Sequence, residues 1–449
     1  MLATVLAVLL MLRLGSRLVG PTPALMASTA IAVTPIVALH AQLAIAEALI
    51  LPMIVVAQLA LLAVYRDAAA ARWWGWLGAF WLATGLSTLF NALSVPLLAL
   101  VTVATLAALD RRWTFVRRLQ PWFGLPAMAA LAAPWLLATA AIDDGALYRG
   151  MDWRAILDAL EGGQSMKFKT AYGVFILMIV LGFVPVAHML APAVTRSWAA
   201  RHDPTIRFLL VWLLAPVLAL EIFSNKPPLY TVHAVFPAGA LLVALAVGRI
   251  EPFARELKAW PGMFIATTVL LVAIAPVLFG GILWVTGTPV TPLLLAGFIS
   301  LAGLFIYAAW VSAHGYGMAW FSSAVLGTFI LGLWFNGLLM PGLNNFWTAP
   351  QIEKATARLK NCSAGPVHIS GFREPSLALA VAGRARIGSP DQAAATVAGP
   401  ENGAAIIESR QIDRFQKAVA NAPGAPSPVS YTHLTLPTNT VTCRCGWWG

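Results

Sequence analysis

Long apolar stretches separated by short basic connections recur from the first residue to about residue 340. Wound as helices, stretches of roughly 20 apolar residues match the hydrocarbon core of a bilayer. They place candidate spans near 1–12, 22–40, 43–65, 74–90, 92–109, 122–141, 171–191, 208–224, 231–248, 262–286, 290–312 and 317–340, about twelve in all. The predicted fold class is mainly α, a polytopic membrane helix bundle. Its first run is cut short at Arg13, and "MLATVLAVLLMLRLGSRLVG" has neither the charged leader nor the small-residue cleavage site of a signal peptide. The natural start is therefore expected upstream of residue 1.

Past residue 340 the pattern becomes that of a small soluble α/β unit, expected over 341–428. "PQIEKATARLK" predicts a helix charged on one face, "GPVHISG" and "AAIIES" predict strands, "PSLALAVAG" another apolar element, and "RQIDRFQKAVA" a closing amphipathic helix. From about residue 429 the composition breaks again. "SYTHLTLPTN" resembles the translation of a sequencing adapter, so 429–449 is read as a non-biological tail and set outside the fold.

Composition agrees with a membrane chain: of 449 residues, 59% are hydrophobic and only 10% charged, against roughly 25% charged in soluble domains. The formal charge of +11 does not point to nucleic acid, because the basic residues form no patch interleaved with exposed aromatics. Arg13 and Arg17, Arg66 and Arg72, the "DRRWTFVRR" loop, Arg196, Arg201 and Arg207, then Arg249, Arg255 and Lys258 fall in every second connection. That is the positive-inside pattern of cytoplasmic loops. The 142–170 loop, the Lys226 turn and everything after about 341 then face outward. The Trp residues, as in "RWWGW" and "RSWAA", read as headgroup-zone anchors.

Ionisable groups within spans are costly and mark candidate sites. Glu47, preceded by His40 and Gln42, is either a site carboxylate or an interfacial one reaching to water. Glu221 closes a span just before "NKPPLY". There Pro227 and Pro228 forbid further helix, leaving Lys226 at an open turn, either gripping a phosphate oxygen or pairing with Glu221. "MDWRAILDAL" in the 142–170 loop predicts an interfacial helix, and Lys167 and Lys169 could hold an anionic headgroup or simply contact anionic lipid. His188 reads as a helix-packing residue. The sequence has no P-loop, dinucleotide-binding glycine fingerprint, zinc spacing or nucleophile elbow.

Taken together, "RLGSRLVGPTPALMASTAIAVTPIVALHAQLAIAEALIL", "GLSTLFNALSVPLLAL", "GGQSMKFK" and "VWLLAPVLALEIFSNKPPLYTVHAVFPAGALL" resemble the bacterial glycosyltransferase family 39 proteins, relatives of aminoarabinose and protein mannosyl transferases. "SGFREPSLALAVAG" is similar to their outer C-terminal domain. The resemblance implies a GT-C fold and transfer of a sugar from a polyprenyl-phosphate carrier, of the undecaprenyl type, to a lipid A, glycan or protein acceptor at the periplasmic face of the inner membrane. It implies no nucleotide cofactor and leaves a divalent metal open. The family's glutamate and K-x-P-x-Y turn correspond here to Glu221, Lys226, Pro228 and Tyr230.

On that resemblance, Lys226 and Tyr230, with Lys167 or Lys169, would bind the donor phosphate. Glu47 and Lys226 would be catalytic, and Glu221, Asn91, Gln164 and His233 supporting. The chain departs from the family in three places. Glu47 stands for a usual aspartate, Asn91-Ala92-Leu93 for a Lys-Gly-Pro stretch, and His233 for a proline. The family's first outer loop, with its catalytic aspartate, would lie before residue 1. Two rivals stay open: a carrier-lipid flippase, and a catalytically incomplete fragment that binds lipid phosphate.

Overall fold

The computed structural model describes residues 1–42, 46–66, 73–91, 94–111, 113–142, 172–183, 187–222, 229–247, 277, 279–284, 287–314, 316–343, 365–370, 385–399, 403–408, 411–421, 431–434 and 439–443. The chain divides into two compact units. One comprises Met1–Ala275 with Leu295–Phe335, the other Pro276–Leu294 with Asn336–Gly449.

The first unit is helical. Its elements are α1 (Leu2–Val19), α2 (Pro21–Val33), α3 (Pro35–Gln42), α4 (Ala46–Tyr65), α5 (Trp73–Asn91), α6 (Ser94–Asp110), α7 (Thr114–Arg118) and α8 (Pro121–Ile142). They continue with α9 (Val174–Gly182), α10 (Ala187–Ala199), α11 (Pro204–Ile222), a 3₁₀ helix (Leu229–Val235) and α12 (Phe236–Val247). After α13 (Pro292–Ala313) and α14 (Gly317–Trp334), the chain tightens into one π turn at Phe335–Leu339.

Helix boundaries follow the punctuation of the sequence. Gly20, at φ 98°, ends α1 and Pro21 opens α2, because glycine alone adopts that backbone without strain and proline suits a helix's first turn. Pro35 repeats the device, bending α3 away from α2 by 62°. The first apolar run is not cut short at Arg13. A single helix carries through Arg13 and Arg17 to Val19, since long unbranched side chains continue a helix whether apolar or charged.

By length and composition, four described helices can cross a membrane: Leu2–Val19, Ala48–Tyr65, Pro204–Ile222 and Met318–Gly342. The bent α2–α3 pair makes up to five. Shorter apolar helices lie at Ser94–Asp110, Val232–Val247 and Pro292–Ala308. The run expected at 171–191 is described as two helices, α9 and α10, and the one at 231–248 starts as a 3₁₀ turn. Most of 262–286 lies outside the described residues.

Two helices form the centre of this unit. In α4, Val55, Ala57, Gln58, Leu59 and Ala60 are all inaccessible, and α12 is buried on every side from Phe236 to Ala244. A helix apolar all round belongs in such a position. Gln58 donates to Thr102 Oγ1 of α6 at 3.4 Å, one of the polar contacts that hold helices together in lipid. Outer helices instead expose large apolar side chains, among them Trp122, Phe123, Leu293 and Leu333, as a lipid-facing surface would. At Gly124 a Cβ would come within 1.8 Å of the Trp81 ring, so only glycine lets α8 seat on α5.

The two ends of the bundle differ chemically. At one, Tyr65 donates to Asp110 Oδ2 at 2.7 Å, Asp110 pairs with Arg207, Arg207 Nε donates to the Arg201 carbonyl at 3.0 Å, and Arg66 reaches the Leu18 carbonyl. Among the described residues, Arg66, Arg201 and Arg207 thus gather where α1, α4, α6 and α11 meet.

In the second unit, β1 (Val367–Ser370), β2 (Ala385–Ile387), β3 (Ala404–Glu408), β4 (Tyr431–Leu434) and β5 (Asn439–Cys443) form one sheet in the order β2-β1-β3-β5-β4. β1 runs parallel to β2 and β3, and β5 antiparallel to β3. β1 and β3 are buried on both faces, as central parallel strands are. Helices α15 (Pro390–Ala398) and α16 (Ile412–Ala420) cover the sheet through Ala393, Ala394, Val397, Phe415 and Val419.

The strands at "GPVHISG" and "AAIIES" and the helix in "RQIDRFQKAVA" lie where the sequence predicts them. The elements expected at "PQIEKATARLK" and "PSLALAVAG" fall outside the described residues. β2 and α15 were not predicted, although Ser389 and Gln392 form a complete capping box with Pro390 at the first turn, a signature readable in sequence. Residues 431–434 and 439–443, set outside the fold on composition, pair as strands beyond β3. "YTHL" and "NTVTC" are rich in residues that suit a pleated surface, and the edge of β3 offers unpaired backbone groups.

Candidate functional site

At the end of the bundle away from the arginines, α3, α4, α9 and α11 converge on the 3₁₀ helix Leu229–Val235. Glu221 lies in the last turn of α11, 9% exposed. Its carboxylate accepts from the backbone amides of Gly173 at 3.0 Å and Phe175 at 2.8 Å. Those amides open α9, and Gly173, at φ 89°, turns the chain into it. An anion at a helix N-terminus meets both unsatisfied N–H groups and the positive end of the helix dipole. Glu221 therefore locks the C-terminal end of α11 to the start of α9.

The 3₁₀ helix is fastened from two sides. Trp212 Nε1 of α11 donates to the Ala234 carbonyl at 3.1 Å. The His233 ring meets the His40 ring of α3 edge to face, with centroids 4.7 Å apart and both residues buried. Behind them Phe183 stacks on Phe236 at 4.8 Å, and a Cβ at Gly182 would collide with Ile36 at 2.2 Å. The turn that follows "NKPP" thus sits on a rigid, tightly packed base.

Of the residues singled out from the sequence, Glu221 and His233 are brought to this base. Glu47 starts α4, Asn91 ends α5 and Tyr230 belongs to the 3₁₀ helix. Lys226, Lys167, Lys169 and Gln164 lie outside the described residues. His40 was noted only as a neighbour of Glu47, and its contact with His233 was missed. The usable signal was two histidines in otherwise apolar segments, each beside a proline-marked break. Among the described residues, no three His, Cys, Asp or Glu side chains gather as a metal site would require.

Comparison with known proteins adds to this picture. No protein-family model matches the chain. Over 185 residues it is 26% identical to the undecaprenyl phosphate-alpha-4-amino-4-deoxy-L-arabinose arabinosyl transferase of Pseudomonas paraeruginosa, covering 40% of this chain and 32% of that relative. It is 24% identical over 189 residues to a Proteus mirabilis protein of the same description, with the same coverage. The match thus spans about a third of the length of these relatives. Among solved structures, ArnT from Cupriavidus metallidurans in the apo state superposes with TM-score 0.65 at 16% identity, over 98% of this chain and 82% of that one. The chain has the ArnT fold. ArnT bound to undecaprenyl phosphate superposes equally well, with TM-score 0.66. The resemblance read from "EIFSNKPPLY" and its companion stretches thus agrees with both sequence relatives and ArnT architecture.

Proposed function

We propose that this protein is a membrane glycosyltransferase that moves a sugar of the aminoarabinose type from an undecaprenyl-phosphate carrier to lipid A at the periplasmic face of the bacterial inner membrane. The observation that carries the reading is the ArnT fold over nearly the whole chain, in an architecture whose Cupriavidus example binds undecaprenyl phosphate. The names of the sequence relatives point the same way. In this reading the bundle crosses the membrane about twelve times, and residues 341–428 form a small α/β domain on the periplasmic side.

The reaction is displacement at the sugar's anomeric carbon, with the lipid phosphate leaving. Lys226 and Tyr230, assisted by Lys167 or Lys169, offset the charge that grows on the departing phosphate. Preorganised charge of this kind is often the largest catalytic contribution. Glu47 helps orient or deprotonate the acceptor. Glu221 and the His40–His233 contact act one step back, holding the segments on either side of the Lys226 turn. Lipid A is favoured over a glycan or protein acceptor because the relatives are arabinosyl transferases.

Labelled undecaprenyl-phosphate sugar in proteoliposomes tests the proposal. Label appearing on lipid A supports transfer. Label crossing the vesicle without transfer identifies a flippase, and label retained without either identifies a binding protein. Lys226→Ala is expected to reduce transfer at least tenfold with membrane insertion intact, and undiminished transfer by that variant would overturn the assignment of Lys226.

A further inference from the structure

The arginine-rich end of the bundle holds a feature the transfer reaction does not use. Between α6, α11 and the end of α10 lies an open cavity of about 700 Å³. Its mouth carries Arg201, Arg207, His202 and Trp198, and its wall includes Leu109, Leu210, Leu214 and Leu218.

The cations at the mouth are held differently. Arg207 is matched by Asp110, which Tyr65 also supports, so that pair frames the opening and leaves little net charge. Arg201 instead lies over the Trp198 ring, 5.5 Å from its centroid, and donates to the Trp198 carbonyl at 2.8 Å. Both Arg201 and Trp198 are exposed. A guanidinium propped on an indole at the end of an amphipathic helix suits the headgroup zone of a membrane and the recognition of a phosphate oxygen.

The wall distinguishes a lipid from a free anion. From Arg207 to Leu218 is three turns of α11, roughly 16 Å at 1.5 Å per residue. One leaflet's share of a hydrocarbon core about 30 Å thick is close to that depth. Leu109 and Leu218 are exposed along it, presenting apolar surface where an acyl chain would run. Inorganic phosphate would gain nothing from such a wall.

We infer that this cavity is a binding site for an anionic glycerophospholipid, with its phosphate at Arg201 and one acyl chain lying along α11 toward Leu218. By the positive-inside pattern the lipid belongs to the cytoplasmic leaflet. Its mouth lies at the opposite end of α11 from Glu221, and the proposal stands whether or not the transfer reading does.

Native mass spectrometry of the full chain, released from nanodiscs, tests this with dioleoyl phosphatidylglycerol, the phosphatidylcholine with the same chains, inorganic phosphate and undecaprenyl phosphate as probes. Phosphatidylglycerol is expected to remain bound in preference to phosphatidylcholine. Arg201→Ala should lower its occupancy about fivefold, the effect of one cation near a membrane surface. Leu218→Asn should lower it too, with the preference between headgroups unchanged. Equal retention of both phospholipids, or Arg201→Ala indistinguishable from the parent, overturns the proposal. So does displacement by millimolar inorganic phosphate, which marks a simple anion site, or stronger retention of undecaprenyl phosphate at the same residues, which marks a carrier-lipid site.

Discussion

Glu221 receives its two amides from Gly173 and Phe175, 48 and 46 residues upstream. Its charge and the apolar run at 171–191 were both legible in the sequence, but their contact was not, because nothing local links the end of α11 to the start of α9. Hydrogen bonds to a charged acceptor contribute about 1.5 to 3 kcal/mol, and leaving a buried donor unmatched costs about 1 to 3 kcal/mol. Glu221→Ala should therefore lower the thermal unfolding temperature in detergent by the equivalent of about 2 kcal/mol, and Glu221→Gln by less, since its amide oxygen still accepts. An unchanged transition in Glu221→Ala would mean that the cap contributes nothing to stability.

At the scale of elements, the helices lie on the apolar runs because lipid imposes one solution. A segment with no water to satisfy its backbone closes its hydrogen bonds internally, so apolar length predicts helix. Proline breaks then decide where a run bends or divides, as at Pro35. The 3₁₀ helix was not predictable, since its geometry depends on Trp212 and His40 from elsewhere in the chain. An edge-to-face ring pair is worth about 1 kcal/mol. His40→Ala is accordingly expected to speed amide exchange across Leu229–Val235 about fivefold while α4 exchanges as before. An equal acceleration in α4, or no change across Leu229–Val235, would refute that support. In the second unit the Ser389 cap was legible yet passed over, because α15 is only nine residues long and its small apolar residues give a weak period. Ser389→Ala should cost about 1 kcal/mol, seen as faster exchange in the first turn of α15 with α16 unaffected.

For the whole molecule, the segregation of charge makes a prediction about orientation. In a background with Cys362, Cys443 and Cys445 changed to Ser, a membrane-impermeant thiol reagent should label Tyr172→Cys in intact cells and Arg201→Cys only after lysis. The reverse pattern would invert the topology and remove the periplasmic assignment of the Lys226 turn. The second unit carries a pH dependence of its own. Burial, reinforced by the Arg386 guanidinium, holds the His368 imidazole below the usual histidine range. The folded sheet therefore resists a proton that the unfolded chain accepts, and stability present above about pH 6.5 is lost as pH falls below it. Protection of β1 and β3 amides, corrected for intrinsic exchange, should be weaker at pH 5.5 than at pH 7.5. His368→Gln should flatten that difference.

Read alone, the sequence determined that this is a helical membrane protein with its arginines on alternate connections, and it marked the Glu221–Tyr230 stretch as the place to look. Those properties depend on solvent partition and on residues close together in the chain. Only the tertiary structure decided that Glu221 caps α9, that His40 meets His233, and that Tyr65, Asp110 and Arg207 join beside an open, apolar-walled cavity. Each of these pairings spans dozens of residues or more, and such contacts arise from how helices pack, which no local pattern encodes.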